Sequence, residues 1–217
     1  MNEVQIQAGR AVLSGNLIIP ENPVALVLFA HGSGSSRHSP RNQFVARTLN
    51  NAGLATLLFD LLTPEEESID ARTAELRFNI GLLAERLVHA TKWARQEQTR
   101  DLRVGYFGSS TGGGAALVAA AEVPEDVGAV VSRGGRPDLA DEALPKVQAP
   151  TLLIVGGNDD VVIELNEQAR DRMRCEVKLE IVPGATHLFE EPGALEKVAK
   201  LASDWFLLHA AGSAGPH

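Results

Sequence analysis

The chain has 217 residues, of which 44% are hydrophobic, a formal net charge of −8 at pH 7 and one cysteine. This composition fits a single globular domain, which we place at 1–209, with 210–217 as a flexible tail. It excludes an intrachain disulfide, and an acidic balance without a long basic run argues against a nucleic-acid partner. The sequence contains neither an apolar run of membrane-spanning length nor a recognisable secretory signal, so we expect no membrane association and a cytoplasmic location.

Apolar runs of strand length alternate with amphipathic segments of helix length along most of the chain. The predicted strands are 3–8, 11–19, 24–30, 54–59, 103–107, 127–131, 151–155 and 178–182, and the predicted helices are 42–52, 68–96, 112–122 and 192–209. The first two strands read as an antiparallel hairpin, and the rest as strand–helix units with short connections. We therefore predict one mostly parallel sheet of about seven or eight strands, with helices on both faces and no large lid.

The most informative motif is Gly108-Ser109-Ser110-Thr111-Gly112, directly after the apolar run 104–107. It has the form G-x-S-x-G, which in many hydrolases holds a serine on a tight strand-to-helix turn with its hydroxyl exposed. An ordinary sharp turn also favours glycine and serine, so the motif alone does not decide. If Ser110 is a nucleophile, it needs a base to take its proton and an acid to orient that base.

Candidates for the base and for the acid follow later strands, at the carboxyl ends of the strands, where α/β proteins place their functional residues. Of six histidines, His187 is the best candidate base, because it follows the last predicted strand in a loop of small residues. Asp159 is the preferred acid, since it directly follows Gly156-Gly157-Asn158 after another strand, and Asp160 is the alternative.

These segments resemble the α/β-hydrolase superfamily and, within it, the dienelactone hydrolase-like group of small members without a lid. The resemblance covers 24–208 and rests on four motifs: His31-Gly32-Ser33-Gly34, Gly108-Ser109-Ser110-Thr111-Gly112, Gly157-Asn158-Asp159 and Gly184-Ala185-Thr186-His187. It implies an oxyanion hole formed by the backbone N–H groups of Thr111 and Ser33, with Gly34 as the alternative to Ser33. Enzymes of this group that cleave dienelactone itself use a cysteine nucleophile, so Ser110 argues against dienelactone as the substrate.

The expected function is hydrolysis of a small carboxylic ester through an acyl-enzyme, without a cofactor or metal, by a monomer or small homo-oligomer. The sequence offers no phosphate-binding loop and no pair of histidines at metal-ligand spacing. Cleavage of a thioester or amide, acyl transfer to an acceptor other than water, and a non-catalytic binding module of the same fold remain alternatives.

Two arginines follow the strand 127–131, and Arg133 is a candidate contact for an acidic group of the substrate, with Gly34 as a second candidate substrate-binding residue. Arginine suits this role because its guanidinium binds carboxylate or phosphate through two parallel hydrogen bonds. The alternative is that Arg133 and Arg136 pair with acids nearby in the sequence, namely Asp138, Asp141 or Glu142.

Overall fold

The structure is a computed structural model that describes residues 1–211. The tail predicted at 210–217 lies outside the described residues from 212 onward. Eight strands of the described chain form one sheet, in the spatial order β1-β2-β4-β3-β5-β6-β7-β8. They are β1 (Asn2–Ala8), β2 (Ala11–Ile18), β3 (Ala25–Ala30), β4 (Leu54–Phe59), β5 (Val104–Ser109), β6 (Val127–Arg133), β7 (Thr151–Gly156) and β8 (Val177–Val182).

Strands β1 and β2 form the expected antiparallel hairpin, and β2 pairs antiparallel with β4. All later pairings, from β4 through β3 to β8, are parallel. Every residue of β3, β4, β5, β6 and β7 is buried, as expected for central parallel strands covered on both faces, whereas the edge strand β8 is half-exposed. The predicted sheet is confirmed.

Helices cover both faces of this sheet. They are α1 (Pro40–Asn51), α2 (Pro64–Thr73), α3 (Ile80–Ala94), α4 (Thr111–Glu122), α5 (Asp160–Arg172) and α6 (Ala194–His209), with 3₁₀ segments at Leu76–Phe78 and Pro137–Lys146. Helices α1 and α6 pack together over one face, and α3 packs on α4 over the other. None of the helices in the described part of the chain is both long and apolar enough to cross a membrane.

The single helix predicted over 68–96 is wrong. Ala74 adopts a left-handed backbone with φ 55° and ends α2, and the Asp70 carboxylate then accepts the N–H groups of Leu76 and Arg77. Asn79 restarts the chain as α3 by accepting the N–H of Leu82. These polar side chains give the backbone partners that compete with a continuous helix, and Ile69 of α2 is exposed.

Helix α5 is absent from the sequence prediction. Its buried face is short and includes a polar residue, since Val162, Asn166 and Ala169 are its buried positions. The Asn166 amide donates to the carbonyl oxygens of Val162 and Gly135. A helix that buries so few apolar residues leaves little hydrophobic periodicity to recognise.

Candidate active site

Ser110 lies between the end of β5 and the start of α4, with φ 53° and ψ −122°. This backbone conformation is unfavourable for any residue with a side chain and is held by its neighbours. The Ser110 N–H donates to the carbonyl oxygen of Arg133 at 3.3 Å, and its own carbonyl oxygen accepts the N–H groups of Gly113 and Arg136, both at 3.0 Å. The arrangement is the sharp strand-to-helix turn that the G-x-S-x-G motif predicts.

The glycines of the motif allow α4 to approach the sheet. A Cβ atom at Gly112 would collide with the carbonyl oxygen of Ala30 in β3, and one at Gly108 would collide with the backbone of Gly112. The first turn of α4 therefore packs directly on the ends of β3 and β5. This packing fixes the direction in which Ser110 leaves the strand.

His187 and Asp159 meet at the ends of β8 and β7. The Nδ1 atom of His187 lies 2.8 Å from Oδ2 of Asp159. The two loops are joined by their backbones, because the Asn158 N–H donates to the carbonyl oxygen of Ala185 at 2.9 Å. Of the two aspartates offered by the sequence, Asp159 contacts the histidine, whereas Asp160 is an exposed residue in the first turn of α5.

Ser110 and His187 line the same cavity of about 240 Å³, together with Gly32, Ser33 and Arg133. Their side chains face one space but do not hydrogen-bond to each other among the contacts of the described residues. The structure thus places Ser110 and His187 on one cavity and Asp159 in contact with His187.

Ser33 and Thr111, the expected oxyanion donors, lie side by side next to Ser110. Thr111 is the first residue of α4, so its N–H has no acceptor within the helix. The Ser33 hydroxyl lies 3.0 Å from that of Thr111 and holds the loop after β3 against the turn. Both residues also border a larger cavity of about 620 Å³ that Gly34 lines, on the side of α2.

His31, in the same loop, has a structural role. It is buried, its Nε2 accepts the N–H of Leu61 at 3.0 Å, and its Nδ1 lies 2.9 Å from the carbonyl oxygen of Gly32. Burial lowers the pKa of His31, although the Gly32 carbonyl and the charge of Asp60 act in the opposite direction. The neutral ring therefore links the chain after β3 to the chain after β4.

The family model for the dienelactone hydrolase family matches residues 13–207. The chain belongs to this family. It is 63% identical to the crystal structure of dienelactone hydrolase from Anabaena variabilis ATCC 29413, with a TM-score of 0.95, and 96% of this chain and 97% of that one are covered. Est1E from Butyrivibrio proteoclasticus shares the fold, with a TM-score of 0.81 at 17% identity over 96% and 98% of the two chains.

Curated relatives of this family member come from two strains of Mycobacterium tuberculosis, and both are provisionally named phosphoribosyl transferase. They are 61% identical over 211 residues, which is 97% of this chain but 47% of theirs. The chain therefore spans about half the length of the curated relatives it matches.

In this dienelactone hydrolase family member, Arg133, the last residue of β6, and Arg136, which follows that strand, have different surroundings. Arg136 pairs with Asp138 through two hydrogen bonds of 2.9 and 2.8 Å, and Asp141 pairs with Arg172. The predicted pairing with nearby acids therefore describes Arg136. Arg133 instead lies buried beside Ser110.

Helix α1 also contributes to the site, and sequence reasoning missed the role of its Asn42. Arg41 and Asn42, in its first turn, line the small cavity, and the buried Asn42 accepts a hydrogen bond from the Ser109 hydroxyl at 3.1 Å. No local pattern marks Asn42, because it lies 67 positions before Ser109 and reaches it only through the fold. No group of three or more His, Cys, Asp or Glu side chains within 1–211 could hold a metal ion.

Proposed function

We propose that this chain is a serine hydrolase that cleaves small carboxylic esters through an acyl-enzyme. Membership of the dienelactone hydrolase family supports a hydrolase. The observation that carries the finer proposal is the position of Ser110, held on a strained turn beside a cavity shared with a histidine whose Nδ1 lies 2.8 Å from a carboxylate. These are the parts of a nucleophile, base and orienting acid.

In the proposed reaction, Ser110 Oγ attacks the ester carbonyl carbon while Nε2 of His187 takes the hydroxyl proton. The Asp159 carboxylate accepts the Nδ1–H of His187, which fixes the tautomer and stabilises the imidazolium. The C–O bond to the alcohol then breaks, and His187 gives its proton to the leaving oxygen. Water, deprotonated by His187, attacks the acyl carbon and releases the acid, and Ser110 regains its proton.

The negative charge that develops on the carbonyl oxygen needs fixed donors. The N–H groups of Thr111 and Ser33 are suited to this, because Thr111 opens α4 and the hydroxyls of the two residues contact each other. Removing one such donor costs about 3–4 kcal/mol of transition-state stabilisation in serine hydrolases. The partial positive charge at the start of α4 acts in the same direction.

The name of the mycobacterial relatives does not favour a transferase here. It belongs to proteins of which this chain matches about half, whereas the dienelactone hydrolase family model matches residues 13–207 of this chain. Cleavage of a thioester or an amide would form the same kind of acyl-enzyme, and an acceptor other than water would attack that intermediate. These alternatives change the substrate or the acceptor and leave the proposed roles of Ser110, Asp159 and His187 the same.

Labelling with a fluorophosphonate probe tests the proposal, because the probe phosphonylates only activated serines. We expect the folded wild-type protein to be labelled and the Ser110→Ala variant to remain unlabelled. Ser109→Ala is the matched control, because Ser109 belongs to the same motif but donates its hydroxyl to Asn42. A folded wild-type protein that resists the probe, or a labelled Ser110→Ala variant, would contradict the proposal.

A further inference from the structure

Strand β8 forms an open edge of the sheet. Within the described chain it pairs with β7 on one side and with no strand on the other. Its pairing with β7 runs without interruption from Val177 to Val182, and the strand contains neither proline nor glycine. Proteins often interrupt a free edge with a proline or a bulge, because a regular row of unpaired N–H and C=O groups is a template for another strand. The edge of β8 is such a regular template.

The backbone of β8 shows which of its residues face this edge. The carbonyl oxygens of Glu176 and Val182 accept the N–H groups of Thr151 and Gly157, so both point towards β7. Backbone groups of successive residues in a strand point to opposite sides. The N–H and C=O groups of the alternate residues therefore point away from the sheet, and these residues are Val177, Leu179 and Ile181.

The charges of β8 favour one way of pairing the strand with a second copy of itself. Three antiparallel, two-fold symmetric registers pair at least two outward-facing residues of each strand, and they are centred on Lys178, Leu179 and Glu180. A register centred on Lys178 sets lysine against lysine, and one centred on Glu180 sets glutamate against glutamate. The register centred on Leu179 instead sets Lys178 of each copy against Glu180 of the other. Because like charges directly opposite destabilise a strand pair and opposite charges stabilise it, the charges select this register.

The same register uses the backbone of β8 most fully. Leu179 pairs with its own symmetry mate, and Val177 of each copy pairs with Ile181 of the other. Each of these three pairs exchanges two N–H···O bonds, which gives about six bonds in all. Lys178 and Glu180 then occupy the closer, non-hydrogen-bonded positions. Their side chains already lie 2.7 Å apart within one strand, so pairing two strands forms a cluster of four alternating charges.

Exposed apolar side chains lie at both ends of β8. Ile181 is 38% exposed at one end. At the other end, Nε2 of His209 lies 3.7 Å from the carboxylate of Glu176, and the neighbouring Leu208 is 72% exposed. An antiparallel partner brings the Ile181 end of one strand to the Glu176 end of the other. Apolar surface that is open to water in one copy is therefore covered by the other.

We propose that two copies of this chain form a dimer by antiparallel pairing of their β8 strands about Leu179, which joins their two sheets into one. The occupant of the edge is a second copy because one strand supplies both halves of the charge pattern. Strand β1, at the other edge of the sheet, has no such pattern, since Glu3 is its only charged residue. This inference concerns a surface and does not depend on the reaction proposed for Ser110.

Charge reversal combined with sedimentation equilibrium tests the pairing. We expect a dimeric wild type. Lys178→Glu and Glu180→Lys each set like charges against one another at two positions of the dimer, so each should raise the dimer dissociation constant by roughly tenfold or more. The Lys178→Glu/Glu180→Lys double variant exchanges the two charges and should restore the wild-type constant. Lys92→Glu makes the same change of net charge at an exposed position of α3 and is the matched control, expected to dimerise as the wild type does.

Mixing the two single variants separates contact between copies from damage within one copy. Each variant carries two like charges on its own β8, and mixing does not remove that repulsion. In a mixed dimer, however, two carboxylates of one strand face two ammonium groups of the other. We therefore expect the mixture to form a heterodimer under conditions in which each variant alone is mostly monomeric.

Amide hydrogen exchange locates the contact. In the wild type, exchange at Val177, Leu179 and Ile181 should slow as the protein concentration rises, because dimer formation engages their N–H groups. A monomeric wild type would overturn the proposal, and so would single variants that dimerise as tightly as the wild type, a mixture that does not associate, or exchange that is independent of concentration. Fluorophosphonate labelling of Lys178→Glu and Glu180→Lys should equal that of the wild type, so a failed dimer leaves the hydrolase proposal standing.

Discussion

The residues of the candidate site differ in how strongly the sequence itself marks them. Ser110 is marked locally, because the turn that exposes it requires glycines at fixed spacing, and those glycines stand beside it in the chain. Asp159 and His187 are marked by their places after strands. Arg133 is different, because two arginines and three acids lie within ten positions, and only the three-dimensional geometry decides which of them pair.

At the residue scale, Asp159→Asn should lower kcat for p-nitrophenyl acetate by about 10³- to 10⁴-fold, because an amide favours the wrong tautomer of His187. Asp160→Asn is the control. Asp160 is the exposed neighbour in the first turn of α5, and we expect its kcat to change by less than about twofold, since only a weak helix-dipole interaction is lost. A large loss in Asp160→Asn with an active Asp159→Asn would reverse the assignment.

At the scale of elements, the strands and the helices α1, α4 and α6 could be predicted because apolar runs and periodic faces are local signals. The break between α2 and α3 could not, since the apolar residues on either side of Asn79 mimic one helical face. Capping residues mark the break. Thr63 and Glu66 cap the start of α2, the Asp70 carboxylate accepts N–H groups of the chain that follows α2, and Asn79 caps the start of α3. Reading these caps would have placed the boundary correctly.

The neutral ring of His31 connects two elements, because its Nε2 accepts an N–H of the chain after β4 while His31 itself follows β3. Burial lowers the pKa of His31 below its ordinary value of 6.5, so the unfolded chain binds the proton more readily than the native chain. The stability that depends on the neutral ring is complete above pH 6.5. It is lost as the pH falls from 6.5 towards the lower native pKa, with a slope of at most about 1.4 kcal/mol per pH unit.

Urea unfolding between about pH 5 and pH 8 measures this slope. His31→Gln should lower the free energy of unfolding at the upper end of the range and give a shallower decline towards the lower end. His38→Gln, at an exposed histidine of the same loop, should retain the wild-type slope. An unchanged slope in His31→Gln would show that another group controls the acid sensitivity.

At the scale of the whole molecule, the alternation of side chains along the central strands joins two cores. In β3, Leu26 and Leu28 belong to the core under α3 and α4, whereas Val27 and Phe29 belong to the core under α1 and α6. Neither core can lose its strands while the other keeps them. The shared sheet is a physical reason to expect a single domain, and it predicts one cooperative unfolding transition.

The two tryptophans report on the two faces separately. Trp93 lies in α3 and packs against the first core, and Trp205 lies in α6 and packs against the second. In Trp205→Phe the fluorescence reports only the first face, and in Trp93→Phe only the second. Within each variant we expect the fluorescence and far-ultraviolet circular dichroism midpoints in urea to coincide within about 0.2 M, as two-state unfolding requires.

The comparison is made inside each variant because Trp205→Phe also removes the hydrogen bond from the indole to the carbonyl oxygen of Pro150. A fluorescence midpoint displaced from the dichroism midpoint in either variant would mean that one face unfolds without the other.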